Sequence, residues 1–267
     1  MRGCGIYRDS MQIFFTLFIT TILGILFGSF MAAWIYRQCH NASILRGRST
    51  CTTCQGAIAW YDNIPIVSFL CLHGTCRNCS APISNRYLLI EAVTGVFFLF
   101  VAYIHIQSGL VPSLLARDLV ITFFLLYVFL YDFWYMEIWS EQTIYPAVGI
   151  FVVSAMLGLA DPQSMLIGAG IGGGFFFLQY SLSKGRWVGG GDVRLGFFMG
   201  IILGWPLIVL ALMLAYVVGA FIVLPFLITK KTHMAAKIPF GTYLAVATFA
   251  TMLWGDMIWA WYINLIF

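Results

Sequence analysis

Two short stretches carry side chains able to do chemistry in a chain otherwise rich in aliphatic and aromatic residues. In WVGGGDVR, Trp187 to Arg194, three glycines stand directly before Asp192. A carboxyl group behind residues without side chains can act as a general acid or base on a group that comes close, because glycine lets another backbone lie against its own. The second stretch holds Cys51-Thr-Thr-Cys54 and Cys76-Arg-Asn-Cys79, two CxxC pairs with 21 residues between them. Each pair can put two thiolates on one tetrahedral metal ion, at a spacing just beyond the usual range for paired CxxC zinc sites. Redox pairs or inert thiols are the other readings, and disulfides suit a reducing compartment poorly. Cys4, Cys39 and Cys71 lack a CxxC partner and read as small buried or incidental residues. His73 could replace one cysteine, but four cysteines already complete a tetrahedron.

The elements that hold these groups must be membrane helices. Of 267 residues 61% are hydrophobic and 9% charged, against about 25% charged in a soluble domain. The net charge of +4 is too small and dispersed for a nucleic-acid surface. A spanning helix needs about 20 apolar residues, and apolar runs lie near 11–36, 87–106, 117–131, 143–160, 164–182, 193–204, 206–228 and 240–265. The fold class expected is an all-α polytopic membrane protein of about eight transmembrane helices. The first run is longer than a signal-peptide core and lacks a small-x-small cleavage site, so it reads as an anchor.

If the N-terminus faces outward, the inner connections hold Arg37, Arg46, Arg48, Arg77, Arg86, Lys184, Arg186, Arg194, Lys230, Lys231 and Lys237. Arg2, Arg8 and Arg117 then lie outside, so 11 of 14 basic residues face inward. In that topology the third span ends at Asp132 and the fifth delivers the chain to Gly189, Gly190, Gly191 and Asp192, on the same face. On the other face Asp118 and Asp161 have no glycine run beside them. The organisation expected is an anchor over 1–36, a cytoplasmic cysteine-bearing insertion over 37–86 between the first two spans, and a membrane core over 87–267.

A purely structural reading covers much of this. Asp192 can be the N-cap of the sixth helix. Gly168, Gly170, Gly172, Gly173 and Gly174, and the pair Gly24-x-x-x-Gly28, look like helix-packing positions. That reading leaves unexplained why two carboxylates reach one membrane face, where an ionisable group is a functional candidate by default. Glu137 and Glu141 are rival acids near Asp132.

Several pieces follow one another in a distinctive order: Gly28-Ser29-Phe30 with Arg37; the CxxC pairs around Trp60-Tyr-Asp62-Asn63-Ile64-Pro65; and Arg86-Tyr87-Leu-Leu-Ile-Glu91. Then come Asp132, Gly189-Gly-Gly-Asp192-Val-Arg-Leu-Gly196 and Ile238-Pro239-Phe240-Gly241-Thr242-Tyr243-Leu244. Along nearly its whole length the chain resembles the bacterial type IV prepilin peptidases, bifunctional leader peptidases and N-methyltransferases of the GxGD aspartyl class. The resemblance implies an inner-membrane enzyme that cleaves the basic leader of type IV prepilins or pseudopilins on the cytoplasmic side. It also implies methylation of the new N-terminal residue with S-adenosylmethionine.

In that reading Asp132 and Asp192 are catalytic, sharing one proton so that one activates water while the other protonates the carbonyl or leaving amine. Gly189, Gly191, Pro239, Phe240 and Gly241 support the active site; Cys51, Cys54, Cys76 and Cys79 hold a structural zinc ion. Gly28, Arg37, Asp62 and Glu91 are implied near the S-adenosylmethionine site, with no Rossmann-type glycine turn to help place it. Asp192 at a helix start and Asp132 at a helix end would differ in charge preference, making Asp192 the base and Asp132 the protonated partner. Two rivals remain. A proton-coupled transporter would place its acids near mid-bilayer, and a non-enzymatic zinc-bearing membrane scaffold would leave both aspartates idle.

Overall fold

The computed structural model describes residues 3–40, 42–43, 47–228 and 239–266. Arg2, Arg46, Lys230, Lys231, Lys237 and Ile238 lie outside the described residues, as do the side chains of Cys4 and Arg8. Regular structure among the described residues is helical: α1 (Gly3–Cys39), α2 (Val67–Cys71), α3 (Asn85–Gln107), α4 (Pro112–Tyr135), α5 (Ile144–Met156), α6 (Pro162–Ser183), α7 (Gly190–Leu203), α8 (Leu207–Ile228) and α9 (Phe240–Ile266). Single 3-10 turns cover Trp60–Asn63 and Ser140–Gln142.

All eight apolar runs become helices, but among the described residues only six are long and apolar enough to cross a bilayer unaided: those beginning at Met11, Asn85, Pro112, Pro162, Leu207 and Phe240. Helices α5 and α7 have 13 and 14 residues, short of the roughly 20 a span requires. Their ends explain the length. Helix α5 stops at Leu157, before Gly158 with φ +62°, and α7 stops at Gly204 with φ +66°, ahead of Pro206. Glycine adopts these angles without a Cβ penalty, and proline cannot continue a helix.

The chain divides into two compact units, Met1–Val111 and Pro112–Phe267. In the first, α3 packs against α1, so the boundaries expected at 36 and 86 both fall inside one unit. Gly28 and Gly24 make that packing possible. A Cβ on Gly28 would sit 2.8 Å from Glu91 Cα, and one on Gly24 would sit 2.9 Å from Gly95 Cα.

In the second unit α6 and α7 run antiparallel with glycine against glycine: Gly168 meets Gly200 and Gly172 meets Gly196, backbone to backbone. The seam closes where Ser164 Oγ accepts the Trp205 N–H at 3.0 Å and donates to Trp205 O at 3.0 Å. Phe176, Leu195, Phe198, Met199, Ile208 and Leu244 fill the core beside it. The opposite-face acids have structural duties here: Asp161 caps α6 through the amides of Gln163 and Ser164, and buried Asp118 pairs with Arg117 at 2.8 Å.

Candidate active site and metal centre

Asp132 lies on the last turn of α4 and is buried. Its Oδ2 accepts the backbone N–H of Thr242 at 2.9 Å. Thr242 belongs to the first turn of α9, where amide groups have no partner within the helix, and its hydroxyl donates to Pro239 O at 2.6 Å. Asp132 thus ends one helix while facing the N-terminus of another. The contrast with Asp192 expected from helix ends alone therefore leaves out one neighbour, because the positive end of α9 opposes the effect of the α4 C-terminus on Asp132.

Asp192 stands at the third position of α7, and the N-cap itself is Gly189 rather than Asp192. The carboxylate reaches back to accept the Gly189 N–H at 3.1 Å, while the Asp192 amide donates to Gly189 O at 3.1 Å.

Ile138 is the hub between the two acids. It sits in the loop after α4, and both glycine-bearing helix starts press on it. A Cβ on Gly191 would lie 3.0 Å from Ile138 Cβ; one on Gly241 would lie 2.7 Å from Ile138 Cδ1 and 2.9 Å from Asp132 Oδ2. Arg194 holds the loop in place, donating to Ile138 O at 3.3 Å and Ser140 Oγ at 3.4 Å. None of Gly189, Gly190, Gly191 and Gly241 has a positive φ, so approach distance and not backbone freedom is what a side chain would change there. Gly191 and Gly241 are occupied by internal packing. Gly189 would meet nothing closer than 3.7 Å, and Gly190 nothing within 4 Å, so the open space lies over those two.

Pro239 precedes α9, and Phe240 stacks edge-on against Tyr216 at 5.2 Å and Phe176 at 6.2 Å. The rival acids differ: Oε2 of Glu141 is buried with no hydrogen-bond partner among the described residues. Glu137 is exposed and accepts the Trp139 indole N–H at 3.2 Å, and Glu141 lies on the following 3-10 turn. Sequence reasoning missed Ile138, which carries no chemical signal, and the part played by Thr242, although its neighbours had drawn notice.

In the first unit the four cysteine sulfurs of Cys51, Cys54, Cys76 and Cys79 lie within 4.8 Å of one another, and Cys51 and Cys79 are 3.8 Å apart. Zinc–sulfur bonds of about 2.3 Å in a tetrahedron require sulfur–sulfur edges of about 3.8 Å, so the donor set fits that ion. Two matching turns build it. An isolated bridge Thr50–Ala57 closes one and Thr75–Pro82 the other, with left-handed Gln55 and Ser80 at equivalent places. The Cys54 and Thr53 amides bring the Cys51 thiol down to about 6. The Ala81 amide lowers Cys79, yet burial and the three other thiols outweigh it and carry that group up to about 11. Four thiols cannot all ionise side by side without a cation, and a bound metal removes those protons outright.

Of the residues expected near a methyl donor, Glu91 is buried; its Oε2 accepts the Ile66 N–H at 2.7 Å, and the Ser29 hydroxyl also bonds to it. Asp62 is taken up by a bidentate pair with Arg77, at 2.8 and 2.6 Å, which holds its carboxyl below the usual range. Arg37, near the end of α1, donates to Ser43 O at 3.4 Å and Gly47 O at 3.0 Å. Gly28 is filled by α3, so it acts by placing Glu91.

By itself this geometry defines a class: a multi-helix membrane protein with two carboxylates facing helix N-termini, and a four-thiol module. Known proteins narrow it. Residues 22–105 match the family described as Bacterial Peptidase A24 N-terminal domain, and residues 119–224 match the Type IV leader peptidase family. A prepilin leader peptidase/N-methyltransferase of Aeromonas hydrophila is 33% identical over 81% of this chain and 75% of its own length. Proteins of the same name from Pseudomonas putida and Pseudomonas aeruginosa are each 28% identical, over 91% and 92% of this chain and 92% of their own lengths. No solved structure matches the chain. The chain belongs to the type IV leader peptidase family and is an enzyme of that family.

Proposed function

We propose that the enzyme cleaves the leader of type IV prepilins or pseudopilins at the cytoplasmic face of the bacterial inner membrane, and then methylates the exposed N-terminal amine with S-adenosylmethionine. The observation that carries the reading is that the Asp192-bearing start of α7 and the start of α9 that holds Asp132 both pack on Ile138, with open space over Gly189 and Gly190. One carboxylate takes a proton from water as the water oxygen adds to the scissile carbonyl, and the other, protonated carboxyl gives its proton to the carbonyl oxygen; when the C–N bond breaks, the first passes its proton to the leaving amine and the second recovers its own. Each acid has a backbone N–H donor and a helix N-terminus. Either can therefore begin as base, and the pair titrates jointly. The shared name of the relatives supports the substrate class.

The same packing supports eight crossings. Residues 132, 192 and 242 lie at one level, so the chain between each pair must leave and return. The short helices α5 and α7, with their flanking residues, then complete the return journeys of α6 and α8. Zinc, held by Cys51, Cys54, Cys76 and Cys79, would clamp the two turns of the insertion. For methyl transfer, Glu91 is the acid of this unit whose oxygens face neutral donors, which suits a positively charged group better than Asp62, already neutralised by Arg77.

The test is cleavage of a prepilin in membranes by Asp132→Asn and Asp192→Asn. Loss of processing in both, at unchanged protein level, is the expected outcome. Retained processing in both would refute the mechanism.

A further inference from the structure

The insertion carries an apolar surface that neither the acid pair nor the four thiols use. Helix α2 turns Val67, Leu70 and Cys71 outward at helical spacing, while Ser68 faces inward and donates to Tyr61 O at 2.9 Å. Trp60 is 80% exposed, Leu70 61%, Val67 53% and Ile64 42%. Such a cluster on a small element needs a partner.

Its depth is marked by Glu91. The Ile66 N–H is bonded to that side chain, and Ile66 holds a left-handed φ of +61° to do so, a conformation costly for a β-branched residue. Glu91 lies five residues beyond Arg86, or about 7 Å along α3. It is also level with Gly28, nine residues before Arg37, or about 13 Å along α1. The Glu91 side chain leans back toward the start of α3. Even so, the backbone of residue 66 stands level with the first two turns of α3 and on the membrane side of Arg37. Leu89 on α3, two residues before Glu91, is itself exposed.

Charge points to the same partner. Residues 37–86 contain Arg37, Arg46, Arg48, Arg77 and Arg86 and a single acid, Asp62, which Arg77 neutralises. A segment with this basic excess and an apolar patch bearing an exposed tryptophan matches an anionic lipid surface, where interfacial helices sink about 5–10 Å into the headgroup and acyl boundary.

We infer that residues 60–71 form an interfacial wedge, with Trp60, Ile64, Val67 and Leu70 immersed in the lipid boundary beside α1 and α3. The wedge ties the cysteine module to the bilayer at a third point besides the two spans. It does not depend on the peptidase reading.

The test places the photoreactive residue benzoylphenylalanine at position 70 of the full chain in native membranes. Leu89 serves as the lipid-facing reference and exposed Thr53 as the aqueous one. Phospholipid adducts from position 70 should approach the yield at 89 and exceed that at 53 by on the order of tenfold. Adducts with protein in place of lipid, or a yield no greater than at 53, would overturn the inference. Because a bulky residue at 70 could disturb α2, a second measurement reads Trp60 in an otherwise native chain. The fluorescence difference between wild type and Trp60→Phe should be quenched by brominated phosphatidylglycerol in reconstituted vesicles, and an unquenched difference would overturn the inference too.

Discussion

At the scale of single residues, the two aspartates are made alike by the helix starts they face, and the glycines around them divide into two kinds. Gly241 has no room for a methyl group, because its Cβ would intrude on Ile138 and on Asp132 Oδ2. Gly241→Ala should therefore displace the acid and reduce kcat by about 100-fold, the order expected of an ångström-scale misplacement, with protein levels little changed. Gly190→Ala meets nothing and should fold normally. If the substrate backbone lies over this turn, the alanine raises KM and spares kcat. Steady-state cleavage kinetics of the two variants separate these effects. At the same scale, Asp62 is held below the usual carboxylate range by Arg77. A depressed carboxyl contributes stability above its unfolded value and loses it as pH falls through the folded one. The Asp62–Arg77 pair should thus persist at neutral pH and open only in acid below the ordinary carboxylate range, as the Arg77 side-chain signals would report.

At the scale of elements, the α6–α7 seam does the positioning. Glycine against glycine brings two backbones into contact and fixes the height of α7, hence of Asp192, without any side chain between them. Gly172→Leu would force these helices apart. Overpacking of this kind costs about 1–3 kcal/mol or more. The variant should melt earlier in detergent and lose cleavage together with stability, unlike Gly241→Ala. The cysteine module is a second such element. Serine at Cys51 and Cys76 together should take bound zinc from one ion per chain to none by elemental analysis, and should expose residues 47–83 to protease.

At the scale of the whole molecule, the proposed eight-crossing topology has α5 and α7 carry the chain back across the membrane. Alkaline phosphatase fused after Gly109 or Gly158 should be active, as outside loops require, and a fluorescent protein fused after Arg186 should fluoresce inside. Activity of phosphatase fused after Arg186 would contradict the topology. Much of this was legible in the order of residues. Membrane residence follows from composition, because apolar runs of span length admit few other solvents. The four cysteines announce themselves by local spacing, and Asp192 by its glycines. The Asp132 environment was not legible, since its hydrogen-bond donor comes from Thr242, 110 positions further along. No local period encodes a contact of that range, so a helix-end argument from sequence sees the end of α4 beside Asp132 and not the start of α9. Likewise a run of three glycines looks uniform in the sequence. Only packing distinguishes Gly191, pressed on Ile138, from Gly190, left open, because what a missing side chain is for depends on which atoms stand opposite it.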